Sequence, residues 1–195
     1  MKTLDVPYFQ QTADHACGVA ALHMVYKYHR PSKLSKFSQE KIYRRLGKPD
    51  PHAAWDRAMV TTDDIVTVAR SRTLHAAWGR VDPSKDRLIE QVKFFVEGEQ
   101  VPLIACQQVL EQPLFGHFRV ILGISDTEVR FHDPHPQNGG KNMQWPIDRF
   151  MDAWRHTGDN VTGGVAIWIS KTPVASPLDP DQPNYWVPVV SIPQV

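Results

Sequence analysis

His117-Phe-Arg-Val-Ile-Leu-Gly-Ile124, then Ser125-Asp126-Thr127, then Glu128-Val-Arg-Phe-His-Asp133 is the stretch whose reading decides the fold class. Two β-like runs, rich in β-branched and aromatic residues, flank a short polar link. That is the form of an antiparallel hairpin. Folding it about residue 125 or 126 sets Asp133 opposite His117 or diagonal to it. Counting by twos then puts both side chains on one face.

Outward from the hairpin, Val101 to Val109 is another β-like run, Pro146 to His156 reads as a short helix, and Gly164 to Ser170 as a last strand. Before residue 100 the pattern is mainly helical. Ser84 is expected to cap a helix over 85–97, where Leu88, Ile89, Val92, Phe95 and Val96 follow helical spacing and Gly98 ends the run. Leu74 to Val81 reads as a strand. Thr62-Asp63-Asp64 opens a helix to about Arg70, with its acids where the helix dipole favours them. Ser38 to Gly47 is a short capped helix, and residues 48–60 are expected as loop. A helix over about 17–29 carries a wide apolar face, with Asp14 or Thr12 as its cap and Pro31 as its stop. Residues 1–16 form an extended lead-in. Helices first and antiparallel strands second is an α+β pattern. One domain over residues 1–172 is expected, followed by a proline-rich tail, 173–195, lying extended or disordered.

Composition narrows the class. The chain has 195 residues, 42% apolar and 22% charged, with a net charge of +1. That is an ordinary globular balance. No basic stripe argues for nucleic acid. Two cysteines, Cys17 and Cys106, exclude a disulfide scaffold and a four-cysteine zinc site. No apolar run is long enough for a membrane helix and no signal peptide is visible, so a cytoplasmic protein is expected.

The chemistry centres on Cys17. A thiol at the start of a helix feels the positive end of the dipole, which favours the thiolate. The unpaired backbone N–H groups of the first turn point the same way and suit an oxyanion. Gly18 keeps the backbone open there. Gln11, six residues upstream, carries a neutral amide suited to a second oxyanion donor. His117 on a strand is a rigidly held base, and Asp133 can fix its tautomer and favour its charged form. Taken singly, each has a plainer reading: an inert packed thiol, a loop amide, a strand-end histidine, an aspartate in a turn before Pro134.

Together they are more specific. Gln11-x5-Cys17-Gly18-Val-Ala-Ala-Leu, Gly116-His117-Phe-Arg-Val-Ile-Leu-Gly and Val129-Arg-Phe-His-Asp133-Pro134 resemble the peptidase C39-like family of papain-like cysteine peptidases. The Phe150-x3-Trp154 pair is similar to that family's closing helix. The resemblance runs over roughly residues 5–170. It implies a papain-like fold, with a helical N-terminal half carrying the thiol and an antiparallel β half carrying the base. It also implies Cys17 as nucleophile, His117 as base and acid, Asp133 as orienter and Gln11 in the oxyanion hole. One departure is Ala16, where family members often carry Asp; here Asp14 lies two residues earlier.

The expected activity is hydrolysis of a peptide or isopeptide bond through a Cys17 thioester, with a peptide or protein as partner and no metal or organic cofactor. Deamidation or transglutamination uses the same three residues, and a peptide-binding module without catalysis is a further alternative. Oligomeric state is not legible. Cys106 reads as a buried strand thiol. His132, Asp133 and His135 lack metal-ligand spacing, and His15, His23 and His29 read as loop, face or helix-end residues. Trp145 and Trp154 read as cleft wall or core.

Overall fold

A computed structural model of the chain describes residues 1–31, 38–48, 50, 52, 55–109, 112–137, 139–155, 163–175 and 177. Its elements are α1 Cys17–His29, α2 Gln39–Arg45, α3 Trp55–Ala58, α4 Thr62–Arg70, β1 His75–Arg80, α5 Lys85–Lys93, β2 Leu103–Val109, β3 Gln112–Ile124, β4 Glu128–His132, β5 Met143–Pro146, α6 Ile147–Arg155 and β6 Val165–Ser170. The strands form one sheet of six in the order β1-β6-β2-β3-β4-β5. Every neighbouring pair is antiparallel. The α+β class read from the sequence is therefore the observed one, with a papain-like division into a helical half and a β half.

Helix α1 is buried almost all round, from Gly18 to Lys27 and again at His29. A helix apolar on every side belongs in the core, not on a surface. It packs on β3, α4 and α2. Helix α6 is amphipathic instead. Ile147, Phe150, Met151 and Trp154 fall on one stripe and are buried. The Trp154 indole N–H donates to the Val165 carbonyl at 2.8 Å, which ties α6 to β6.

Several expectations need correction. Neither Asp14 nor Thr12 caps α1. The N-cap is Ala16, with no side-chain bond, and the Thr12 hydroxyl donates to Gln39 Oε1 at 3.1 Å. Ser84 occupies the N-cap of α5 but makes no capping bond there, while its own N–H donates to Asp82 Oδ1 at 2.8 Å. The α5 helix ends at Lys93 and gives way to a π-helical turn, Phe94–Gly98. Residues 55–58 of the expected loop form a single helical turn, β3 begins at Gln112 rather than near His117, and β5 was not foreseen. The expected tail lies outside the described residues, apart from 173–175 and 177.

Candidate active site

Cys17 opens α1 and is half-buried. Its thiol hydrogen-bonds to His117 and accepts the backbone N–H groups of Phe118 and Gly18. Burial opposes the thiolate, but these donors and the charge on His117 outweigh it and hold the thiol below its ordinary range. Gly18 has a second role that the sequence did not show. A Cβ there would lie 2.9 Å from the Phe118 ring, so glycine is what lets β3 approach the start of α1 and the Cys17 thiol. Ala16 is fully buried and Asp14 exposed, so the position before the thiol brings no charge.

His117 is buried, and its Nε2 lies 2.7 Å from Asp133 Oδ1. That leaves Nδ1 for the thiol. Burial disfavours the imidazolium, yet the bonds to Asp133 and Cys17 and their charges raise its pKa. The hairpin explains how the two meet. Val120 pairs with His132, and continuing that register sets Asp133 opposite Arg119 and diagonal to His117. Diagonal placement is one of the two arrangements expected from the sequence.

Asp133 is fully buried, and each of its oxygens is occupied. Oδ1 also accepts the His135 backbone N–H at 2.9 Å, and Oδ2 accepts Arg119 Nε at 2.8 Å. Burial pushes the carboxyl up, but His117, Arg119 and the His135 N–H together bring it down to about 2. Arg119 was missed by sequence reasoning. Its Nη1 donates to Gln107 Oε1 at 2.8 Å, and Gln107 Nε2 donates to the Phe150 carbonyl at 3.0 Å. The guanidinium also lies 4.9 Å from the Trp145 ring centroid. The available signal was its position two residues past His117, on the same face of the strand.

Gln11 is buried in the loop that leads into α1, but its amide is already engaged. Nε2 donates to the carbonyls of Ala13 and Asp14, each at 2.9 Å. Its Oε1 is buried with no hydrogen-bond partner. A role in the oxyanion hole thus requires one loop bond to be exchanged. The Gln11 backbone N–H donates to the Pro134 carbonyl at 3.0 Å, tying this loop to the end of the Asp133 strand.

The remaining candidates fall outside the constellation. Cys106, on β2, is half-buried, and burial plus the nearby Cys17 charge push it up to about 12. His132 uses both ring nitrogens, Nε2 on the Val6 carbonyl at 2.8 Å and Nδ1 accepting the Asn142 N–H at 3.0 Å. The His135 ring stands 6.3 Å from that of His117, and His15 is half-buried. His23 stacks on Phe9, and His29 Nε2 donates to the Ile169 carbonyl at 2.6 Å. Trp154 is core, and Trp145 is half-buried between the Arg119 and Arg149 guanidinium groups. Among the described residues no group of three or more His, Cys, Asp or Glu is placed to hold a metal. Nor is any helix among them long and apolar enough to cross a membrane.

A thiolate beside an imidazolium that a buried carboxylate orients is arranged for attack on an acyl carbon. Comparison with known proteins points the same way. The model of the Peptidase_C39 like family matches residues 3–162. Among solved structures, a double glycine motif protease from an AMS/PCAT transporter, in complex with the leader peptide, is 20% identical with a TM-score of 0.59, covering 88% of this chain and 95% of that one. The peptidase domain of Streptococcus ComA, a bifunctional ABC transporter involved in quorum sensing, is also 20% identical with a TM-score of 0.59, over 85% and 98% of the two chains. The corresponding domain of Streptococcus mutans ComA is 18% identical with a TM-score of 0.50, over 84% and 98%. At these identities the likeness is one of fold. No match was found among curated protein sequences.

Proposed function

The chain belongs to the peptidase C39-like family, and from that premise we propose that it cleaves peptide or isopeptide bonds through a thioester on Cys17. The observation that carries the reading is the unbroken chain from the Cys17 thiol through His117 to the buried Asp133. The Cys17 thiolate attacks the carbonyl carbon. The negative oxygen is held by the first-turn backbone N–H of Cys17, which α1 leaves without an intrahelical acceptor. Gln11 joins it by exchanging one of its loop bonds. His117 protonates the departing amine, which leaves the acyl group on sulfur. It then takes a proton from water, and the resulting hydroxide attacks the thioester, releases the acid and restores the Cys17 thiolate beside charged His117.

The peptidase domain is taken as residues 1–172, a span that contains the family match over residues 3–162. The leader peptide held by the double glycine motif protease makes peptides the first substrate class to test. The protein, its Cys17→Ala form and its His117→Ala form are treated with iodoacetamide across pH, and each thiol is read by mass spectrometry. A peptide mixture that includes double-glycine sequences is incubated in parallel. Cys17 is expected to react below about pH 8, ahead of Cys106, and to lose that reactivity with His117. New peptide termini are expected only with the parent protein. A mass change without chain cleavage would identify deamidation instead. An ordinary Cys17 with no product would leave a peptide-binding module.

A further inference from the structure

We propose that Arg119 is a positioning residue of this site, aiming Asp133 at His117 and setting the upper pH limit of the Cys17–His117 pair. The inference rests on the peptidase reading above.

The geometry is that of a clamp. Arg119 Nε holds Asp133 Oδ2 at 2.8 Å, while His117 Nε2 at 2.7 Å and the His135 N–H at 2.9 Å hold Oδ1. The carboxylate therefore cannot rotate without breaking a charged bond. Arg119 is itself fixed. Its Nη1 is bound to Gln107 at 2.8 Å, Gln107 is bound to the Phe150 carbonyl at 3.0 Å, and the Phe131 and Trp145 rings lie against the guanidinium. A planar fork with two donors on two acceptors specifies direction in a way that a mobile ammonium does not. Arg119 and Asp133 are both buried, and a buried ion pair adds little net stability over apolar residues of similar size. Stability alone is thus a poor account of its presence beside the carboxylate that holds His117.

Charge sharing follows from the same contacts. When His117 is protonated, one carboxylate faces two cations. The other groups near the pair are the Cys17 thiol from α1, the His135 ring, Tyr8 beside Asp133, and Tyr43 and Cys106 near Cys17. None of these is a cation bonded to Asp133. Removing the Arg119 charge leaves the whole carboxylate to the imidazolium and removes a like charge from its vicinity. Both effects favour protonated His117.

The test is the pH profile of Cys17 alkylation by iodoacetate, read by mass spectrometry. The anionic reagent reacts fastest while His117 is charged, so the upper limb of the profile reports loss of the imidazolium. In Arg119→Gln the upper limb is expected to move up by about one pH unit, with a lower maximum. In Arg119→Lys, which keeps the charge, the limb is expected to stay at the parent value while the maximum still falls. If Arg119→Gln does not fold, Arg119→Met retains packing on Trp145 and Phe131 and serves the same comparison. A parent profile with a clear limb that neither neutral variant moves would overturn the inference and leave the peptidase reading standing. A parent protein with no His117-dependent limb would overturn both.

Discussion

At Gln11, both amide hydrogens are used inside the loop that leads to Cys17, on the carbonyls of Ala13 and Asp14. Reversing the amide would set its oxygen against two other oxygens, so this orientation is the one the surroundings dictate. Gln11→Ala is expected to lower stability by about 1 kcal/mol in urea unfolding, because two part-buried carbonyls lose their donor. An unchanged stability with a large loss of rate would mean that the amide serves the oxyanion alone. Asp133→Asn removes the charge that favours protonated His117 and leaves Arg119 as a buried cation without its counter-ion. The expected outcome is loss of Cys17 reactivity at low pH, together with a stability loss of about 3 kcal/mol by denaturant unfolding. Retention of the low-pH reactivity would remove Asp133 from the machinery. That Cys17, His117 and Asp133 come together was legible because each sits at a position that local structure makes distinctive: a helix start, and the two arms of one hairpin. Arg119 was not, because a charged residue in a strand ordinarily points to water. What turns it inward is a carboxylate sixteen residues from His117 in sequence, brought into reach only by the hairpin.

Between elements, the contact that decides the site is α1 against β3. A Cβ on Gly18 would meet the Phe118 ring at 2.9 and 3.1 Å and the Ile65 side chain at 3.3 Å. Gly18→Ala is therefore expected to cost about 1–3 kcal/mol by overpacking, with a lowered melting temperature. It should also weaken the Phe118 N–H bond to the thiol, and Phe118→Leu in the same chain should restore part of the stability. No loss in Gly18→Ala would show that β3 shifts freely at this contact. Helix α4 begins with a full capping box, in which Thr61 and Asp64 each accept the other's backbone N–H, at 3.1 and 3.0 Å. Thr61→Ala is expected to cost about 1 kcal/mol in thermal or urea unfolding. The elements best read from sequence were those with strong local signals: the apolar run of α1, the acidic first turn of α4 and the β-rich arms of the hairpin. Strand β5 was missed because it has four residues, too few for alternation to stand out, and it becomes a strand by pairing with β4. The caps proposed for α1 failed for a related reason. Thr12 has a better partner in Gln39, on a different helix, and local sequence does not show that.

Across the whole molecule, buried histidines make stability depend on pH in opposite directions. His29 sits at the C-terminal end of α1, where the helix dipole favours a cation, yet burial prevails and brings its pKa down to about 4. Its Nε2–H donates to the Ile169 carbonyl, which suits the neutral ring. A folded pKa below the unfolded value of about 6.5 means that the unfolded chain binds the extra proton. The contribution of His29 is therefore complete above about pH 6.5 and is lost as pH falls through 4. Over that window the loss is on the order of 3 kcal/mol. His132, also lowered by burial, acts in the same direction. His117 acts in the other: its raised pKa gives stability that is full below the unfolded value and lost as pH rises through the folded one. Acid thus weakens the α1–β6 junction while favouring the charged ring at the site. Urea unfolding of the parent protein at several pH values from neutral down to the range of the His29 pKa is expected to show falling stability. His29→Gln keeps a donor for Ile169 but does not titrate, so its slope should be shallower by one proton's worth. Equal slopes in the two proteins would place the acid sensitivity elsewhere. A shallower slope would show that the helix carrying Cys17 is held to the sheet, at its far end, by a histidine that must stay neutral.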